Sequence, residues 1–92
     1  MCTYETEVLS LRGSGKGRAG WVALTSASVY FDHPVHLPAG HALVIDFLNP
    51  DRGPESRIAV ELDAPSARAL AHSILSILDA VPEALREEGV PS

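Results

Sequence analysis

The chain has 92 residues, 46% hydrophobic and 21% charged, with a formal net charge of −5. That length limits it to one domain, and that balance excludes intrinsic disorder, which needs low hydrophobicity and high net charge. One cysteine excludes a disulfide scaffold, no apolar run approaches a membrane span, no signal-peptide pattern opens the chain, and the acidic balance weighs against nucleic acid.

The expectation is a soluble, cytoplasmic protein that engages neither membrane nor nucleic acid. Along the chain, Tyr4 to Arg12 alternates well enough for a strand. Gly13 to Gly20 carries four glycines in eight residues and reads as an irregular loop. Trp21 to Asp32 is rich in β-branched and aromatic residues and predicts a long second strand. Pro34 and Pro38 break the chain, His41 to Leu48 is a third strand, Asn49 to Pro54 a turn, and Arg57 to Leu62 a fourth strand. Asp63 then has the character of a helix N-cap, with Pro65 tolerated in the first turn where backbone donors have no partner. Leu70, Ile74, Ile77, Leu78 and Val81 recur at helical spacing to about Ala80, and Pro82 ends the run. A polar turn from Glu83 to Glu88 follows. The predicted fold is α+β: a four-stranded antiparallel β-meander (1–63), one C-terminal amphipathic helix (64–81) and a short polar tail (82–92).

This order has two consequences. The second and third strands carry apolar residues on both faces, and one helix covers one face, so the other face needs a cover. A second copy is the simplest, which predicts a homodimer or higher oligomer through the uncovered sheet face or an edge. The meander also creates two poles. One gathers Cys2, the His33–His36 loop and the helix N-terminus; the other gathers Arg12, Lys16, Arg18, Arg52 and Arg57.

Cys2 is the most informative residue of the first pole. Initiator methionine is generally removed before so small a residue, leaving an amine and a thiol on adjacent carbons. Their ordinary pKa values lie near 8, and the pair is both a chelate and a potential nucleophile. His33-Pro34-Val35-His36 sets two imidazoles three residues apart on a proline-stiffened loop. Cys2 with His33 and His36 suits Zn, Cu or Ni, and an open fourth position would make such a site catalytic. Asp32 or Asp46 would then orient an imidazole. A metal-free alternative uses the Cys2 thiolate as nucleophile and His33 or His36 as base. A plainer alternative leaves both histidines as ordinary loop residues. His72, inside the helix, reads as solvated.

Arg12-Gly13-Ser14-Gly15-Lys16-Gly17-Arg18 resembles a phosphate loop only superficially. Lys16 is followed by glycine, the glycine spacing is wrong, and a strand follows instead of a helix. Arg18 likewise takes the last glycine position of a dinucleotide fingerprint. What survives is an anion site of Arg12, Lys16 and Arg18 on one loop with Arg52 and Arg57 flanking the neighbouring loop, diluted by Asp51 and Glu55, set against a mobile hairpin tip with solvated charges. Trp21 and Tyr30 read as core or interface anchors, and Tyr4 as a packed residue. Asp46, inside the apolar run HALVIDFL, is either a functional acid with a partner or a solvent-facing residue near a sheet edge.

Four segments carry a resemblance: Met1-Cys2-Thr3-Tyr4-Glu5-Thr6, Gly13 to Gly17, Val29 to His36, and Ile45-Asp46-Phe47. Together they resemble a group of small actinobacterial proteins described as a domain of unknown function, over Met1 to about Leu78. The resemblance implies a bacterial cytoplasmic protein, with genes of that kind often in secondary-metabolite clusters, and it brings no activity. Three functional readings follow. The first is a metal-binding protein or metalloenzyme using Cys2, His33 and His36, acting on a small metabolite. The second is a metal-free Cys2 enzyme. The third is a non-catalytic module holding an anion or acidic partner at the basic loop.

Overall fold

A computed structural model describes residues 5–53 and 56–87. The β-rich segments form strands β1 (Glu7–Gly17), β2 (Gly20–Asp32), β3 (Ala42–Leu48) and β4 (Ile58–Leu62), followed by helix α1 (Ala64–Ala80) and the single turn α2 (Glu83–Arg86). The strands make one antiparallel sheet in the order β1-β2-β3-β4. The chain is therefore α+β, an antiparallel meander with a C-terminal helix. No helix among the described residues is long and apolar enough to cross a membrane.

The glycine-rich segment corrects the sequence expectation. It is not a loop: β1 continues through Gly13 to Gly17, paired with Gly20 to Leu24 after a bulge between Ser10 and Gly13. The strongly β-prone partner strand supplies the ladder, so glycine's weak strand preference is overridden. The turn shrinks to Arg18-Ala19, followed by Gly20 at φ 118°, a conformation that favours glycine. Gly15 is needed for close approach. A Cβ there would lie 2.6 Å from Ile58 Cδ1 and 2.8 Å from Leu24 Cδ1. Those methyl ends can rotate, so Gly15→Ala is tolerated. Gly15→Val adds two more carbons and overpacks the site, with an expected loss of about 1–3 kcal/mol in urea unfolding. A Val variant as stable as the parent would show that the hairpin does not close on β4.

Burial departs from expectation too. The sheet face carrying Ser26, Ser28, Tyr30, Asp46 and Glu61 also carries Ala42, Val44 and Leu48, so it mixes polar and apolar groups. Leu24, Ala27, Ala42 and Val44 are the buried apolar residues among those described. Trp21, expected as an anchor, is 68% exposed on the hairpin. Asp63 caps α1 as expected, its carboxylate accepting the Ser66 N–H at 2.8 Å, with Pro65 in the first turn. The Ser66 side chain, then its N–H, hold the Asp63 carboxyl below the usual range. Yet α1 buries none of its residues. The predicted closure of one sheet face by the helix is incomplete, leaving a groove of about 450 Å³ between them.

Candidate ligand cleft

The sheet face carrying Tyr30 and Glu61 and the β2–β3 loop enclose a cleft of about 650 Å³, lined by Tyr30, Val44, Arg57, Ala59, Glu61 and the loop from His33 to Pro38. Register explains its floor. Tyr30 pairs with Val44 and Val44 with Glu61, while Asp46 sits between Ser28 and Ala59. These residues therefore point to one side of the sheet.

The loop is held down by its own backbone. Pro34 and Pro38 have no N–H, so the donors between them are Val35, His36 and Leu37. All three N–H groups donate to the Glu61 carboxylate, His36 at 3.0 Å and Leu37 at 2.8 Å. This folds the loop across β3 onto β4. The Leu37 and Val35 N–H groups, with that of His36, hold the Glu61 carboxyl below the ordinary glutamate range.

Beneath the loop lies the one ion pair among the described residues. Arg57 donates to Asp46 Oδ1 from Nε at 3.0 Å and from its terminal nitrogen at 2.7 Å. Tyr30 donates its hydroxyl to Asp46 Oδ2 at 3.1 Å. Asp46 is 8% exposed, whereas the Arg57 side chain is 50% exposed. The carboxylate is thus a buried anchor that orients a phenol and a half-solvated guanidinium toward the cleft. Burial, then the bond to Asp46, pushes the Tyr30 hydroxyl above its usual value and keeps it a neutral phenol. The solvent-facing alternative for Asp46 is set aside. β3 is an inner strand, and the carboxylate has partners.

His33 and His36 both line the cleft. His33 Nδ1 lies 3.0 Å from the Gly40 carbonyl. A carbonyl only accepts, so Nδ1 carries the proton and Nε2 the lone pair in the neutral ring. The His33 ring stacks on His41 at 4.7 Å, and His41 on Phe31 at 5.7 Å. Asp32 accepts the His33 backbone N–H at 2.7 Å, and Asp46 serves Arg57 and Tyr30. Cys2 and Tyr4 lie outside the described residues. Among the described residues no three His, Cys, Asp or Glu side chains converge to hold a metal ion.

The basic pole disperses. Arg12 sits at the β1 bulge, Lys16 in the strand opposite Trp21, and Arg18 in the turn. Four strand residues put Arg12 and Lys16 about 13 Å apart along β1. Arg57 leaves that pole for the cleft. His72 is exposed on α1, at the edge of the apolar groove.

Sequence reasoning missed Tyr30 and Glu61 as site residues and placed Arg57 beside the glycine-rich loop instead of the cleft. The signal for two of them was Asp46, because a carboxylate in an apolar inner strand demands donors from neighbouring strands. For Glu61 it was the pair of prolines, which concentrates three adjacent N–H donors on one loop.

Comparison with known proteins brings in no activity. No curated protein and no solved structure matches the chain. Residues 1–87 match the model of a family of unknown function, DUF6295. With nearly its whole length matched, the chain belongs to that family.

Proposed function

We propose that the protein binds a small anionic metabolite in the cleft between the His33–Pro38 loop and the sheet, with Arg57 as the charge that recognises it. What supports this reading is the arrangement around Asp46. A buried carboxylate holds two guanidinium nitrogens, leaving the rest of a half-exposed cation facing a cleft of metabolite size. The Tyr30 oxygen supplies an oriented polar contact, His33 and His36 stand at the wall, and Val44 and Leu37 offer apolar surface. The anion site moves, in this reading, from the glycine-rich hairpin to the cleft. A cytoplasmic role in bacterial secondary metabolism, implied by the actinobacterial resemblance, is consistent with such a ligand.

The test is calorimetric titration with a panel of small mono- and dicarboxylates and their neutral amides. Carboxylates are expected to bind and amides not. Arg57→Gln should weaken binding about tenfold or more, since a charge-assisted bond is lost, while Arg52→Gln should leave it unchanged. Equal binding of acids and amides, or indifference to Arg57→Gln, would sink the proposal.

A second reading keeps the metal. His33 fixed through Nδ1 on a backbone carbonyl, with Nε2 holding the lone pair, is the arrangement of a metal-ligating imidazole, and His36 lines the same cleft. Cys2 would complete a set for Zn, Cu or Ni, either catalytic or structural. With no metal, Cys2 would act as nucleophile toward the bound metabolite. Native mass spectrometry decides between them: one metal per chain, lost in Cys2→Ala and in His33→Ala, is the metal outcome.

A further inference from the structure

The groove between α1 and the sheet lies on the opposite sheet face from the cleft, because its floor residues alternate with Tyr30 and Val44 along their strands. Register builds that floor. Phe31 pairs with Leu43 and Leu43 with Leu62, while Val29 pairs with Ile45. These five side chains form two apolar rows about 7 Å apart, across three strands that span about 10 Å. All five stay half-buried although a helix lies over them. The helix offers little bulk above them. Ala64, Ala67 and Ala71 line the groove at helical spacing, and their methyl groups do not fill it. The resulting volume of about 450 Å³ is within the range of pockets that take small molecules.

The charge of the groove is one-sided. Arg68 and His72 are the ionisable residues of its lining, and no acidic residue among those described joins them, in a chain whose net charge is −5. They stand four residues apart and are therefore neighbours on the helix surface. The one ion pair among the described residues is that of Asp46 with Arg57, so the Arg68 guanidinium is committed to no carboxylate. His72 adds an imidazole N–H in either neutral tautomer. An apolar trough with these donors on its helix side complements a molecule with an apolar body and a single anionic head.

We propose that this groove binds a medium-chain carboxylate, with its alkyl tail on the sheet floor and its head on Arg68 and His72. Both walls belong to this chain, so the occupant must be slim enough to enter between a helix and its own sheet. An alkyl chain is, and the folded surface of a second protein is not. The site is separate from the cleft at Arg57, and neither depends on the other.

Calorimetric titration of the full chain with hexanoate, octanoate, decanoate and octanol tests this. Octanoate is expected to bind, and each added methylene should tighten binding about fourfold. Octanol should bind about tenfold more weakly or worse, because the charge-assisted bonds are lost. Arg68→Gln should weaken octanoate binding about tenfold, while Arg86→Gln, outside the groove, should leave it unchanged. Ala71→Phe fills the groove and should abolish binding with the helical circular dichroism retained. Should that variant fail to fold, amide shift changes at Phe31, Leu43 and Ala71 on adding octanoate to the unaltered chain place the ligand instead. No uptake of decanoate, an affinity independent of tail length, or octanol bound as tightly as octanoate would each overturn the proposal. So would shift changes confined to the Arg57 cleft, or a dimer in sedimentation whose groove is closed to decanoate.

Discussion

Asp46→Ala is expected to destabilise the fold by about 2–3 kcal/mol and to abolish ligand binding. The carboxylate is buried and accepts from both Arg57 and Tyr30. Removing it strands a partly buried guanidinium and a hydroxyl that has lost its acceptor. Breaking a fully buried pair costs about 3–5 kcal/mol. Here Arg57 is half exposed and can turn to water, which brings the figure down. Asp46→Leu with Arg57→Met should recover most of the loss, because a desolvated pair replaced by apolar groups of similar volume is often neutral. The pair would then be kept for the site rather than for stability. Urea unfolding at fixed protein concentration measures both variants against the parent, so that any association contributes equally. An Asp46→Ala chain within about 0.5 kcal/mol of the parent, the ordinary range for a surface change, would show that the network contributes no stability.

The second large effect is expected at Glu61. Its carboxylate collects three backbone donors of one loop, so Glu61→Gln removes the charge from all three bonds at once. Amide exchange at Val35, His36 and Leu37 should accelerate about tenfold or more while the sheet amides keep their rates, since loops open locally and independently of the core. The same contact predicts a pH dependence. The folded-state value of Glu61 lies below its ordinary 4.5. Loop protection is therefore full above about pH 4.5 and is lost as pH falls through the lowered folded value. In Glu61→Gln that acid transition should vanish from the loop amides. A loop whose exchange is unchanged by both acid and the substitution is not held by this carboxylate.

How the site was read from sequence divides along the range of the interactions. The chain breaks at Pro34 and Pro38, the Asp63 cap and the helical stripe rest on the chemistry of a few neighbouring residues, and local reading reveals them, whereas the loop's hold on Glu61 spans 24 to 26 residues. Asp46 was visible as an anomaly, but its partners lie 16 residues back at Tyr30 and 11 residues ahead at Arg57. No local pattern names them. The glycine-rich segment misleads for a related reason. Taken alone it has the composition of a loop, and only pairing with Trp21 to Leu24 makes it a strand.

The sequence by itself determined the element order and the meander, because alternation, turn residues and capping are properties of neighbouring residues and each pointed the same way. It also placed His33 and His36 on one constrained loop. Only the tertiary structure decided which charges meet. Strand register carried Tyr30, Asp46 and Arg57 to one face, and three N–H groups reaching a carboxylate two strands away closed the loop over them. It also decided where the apolar surface stays open. The predicted stripe lies on a helix that buries none of its residues, because periodicity fixes which residues share a helix face and only packing fixes what lies against that face.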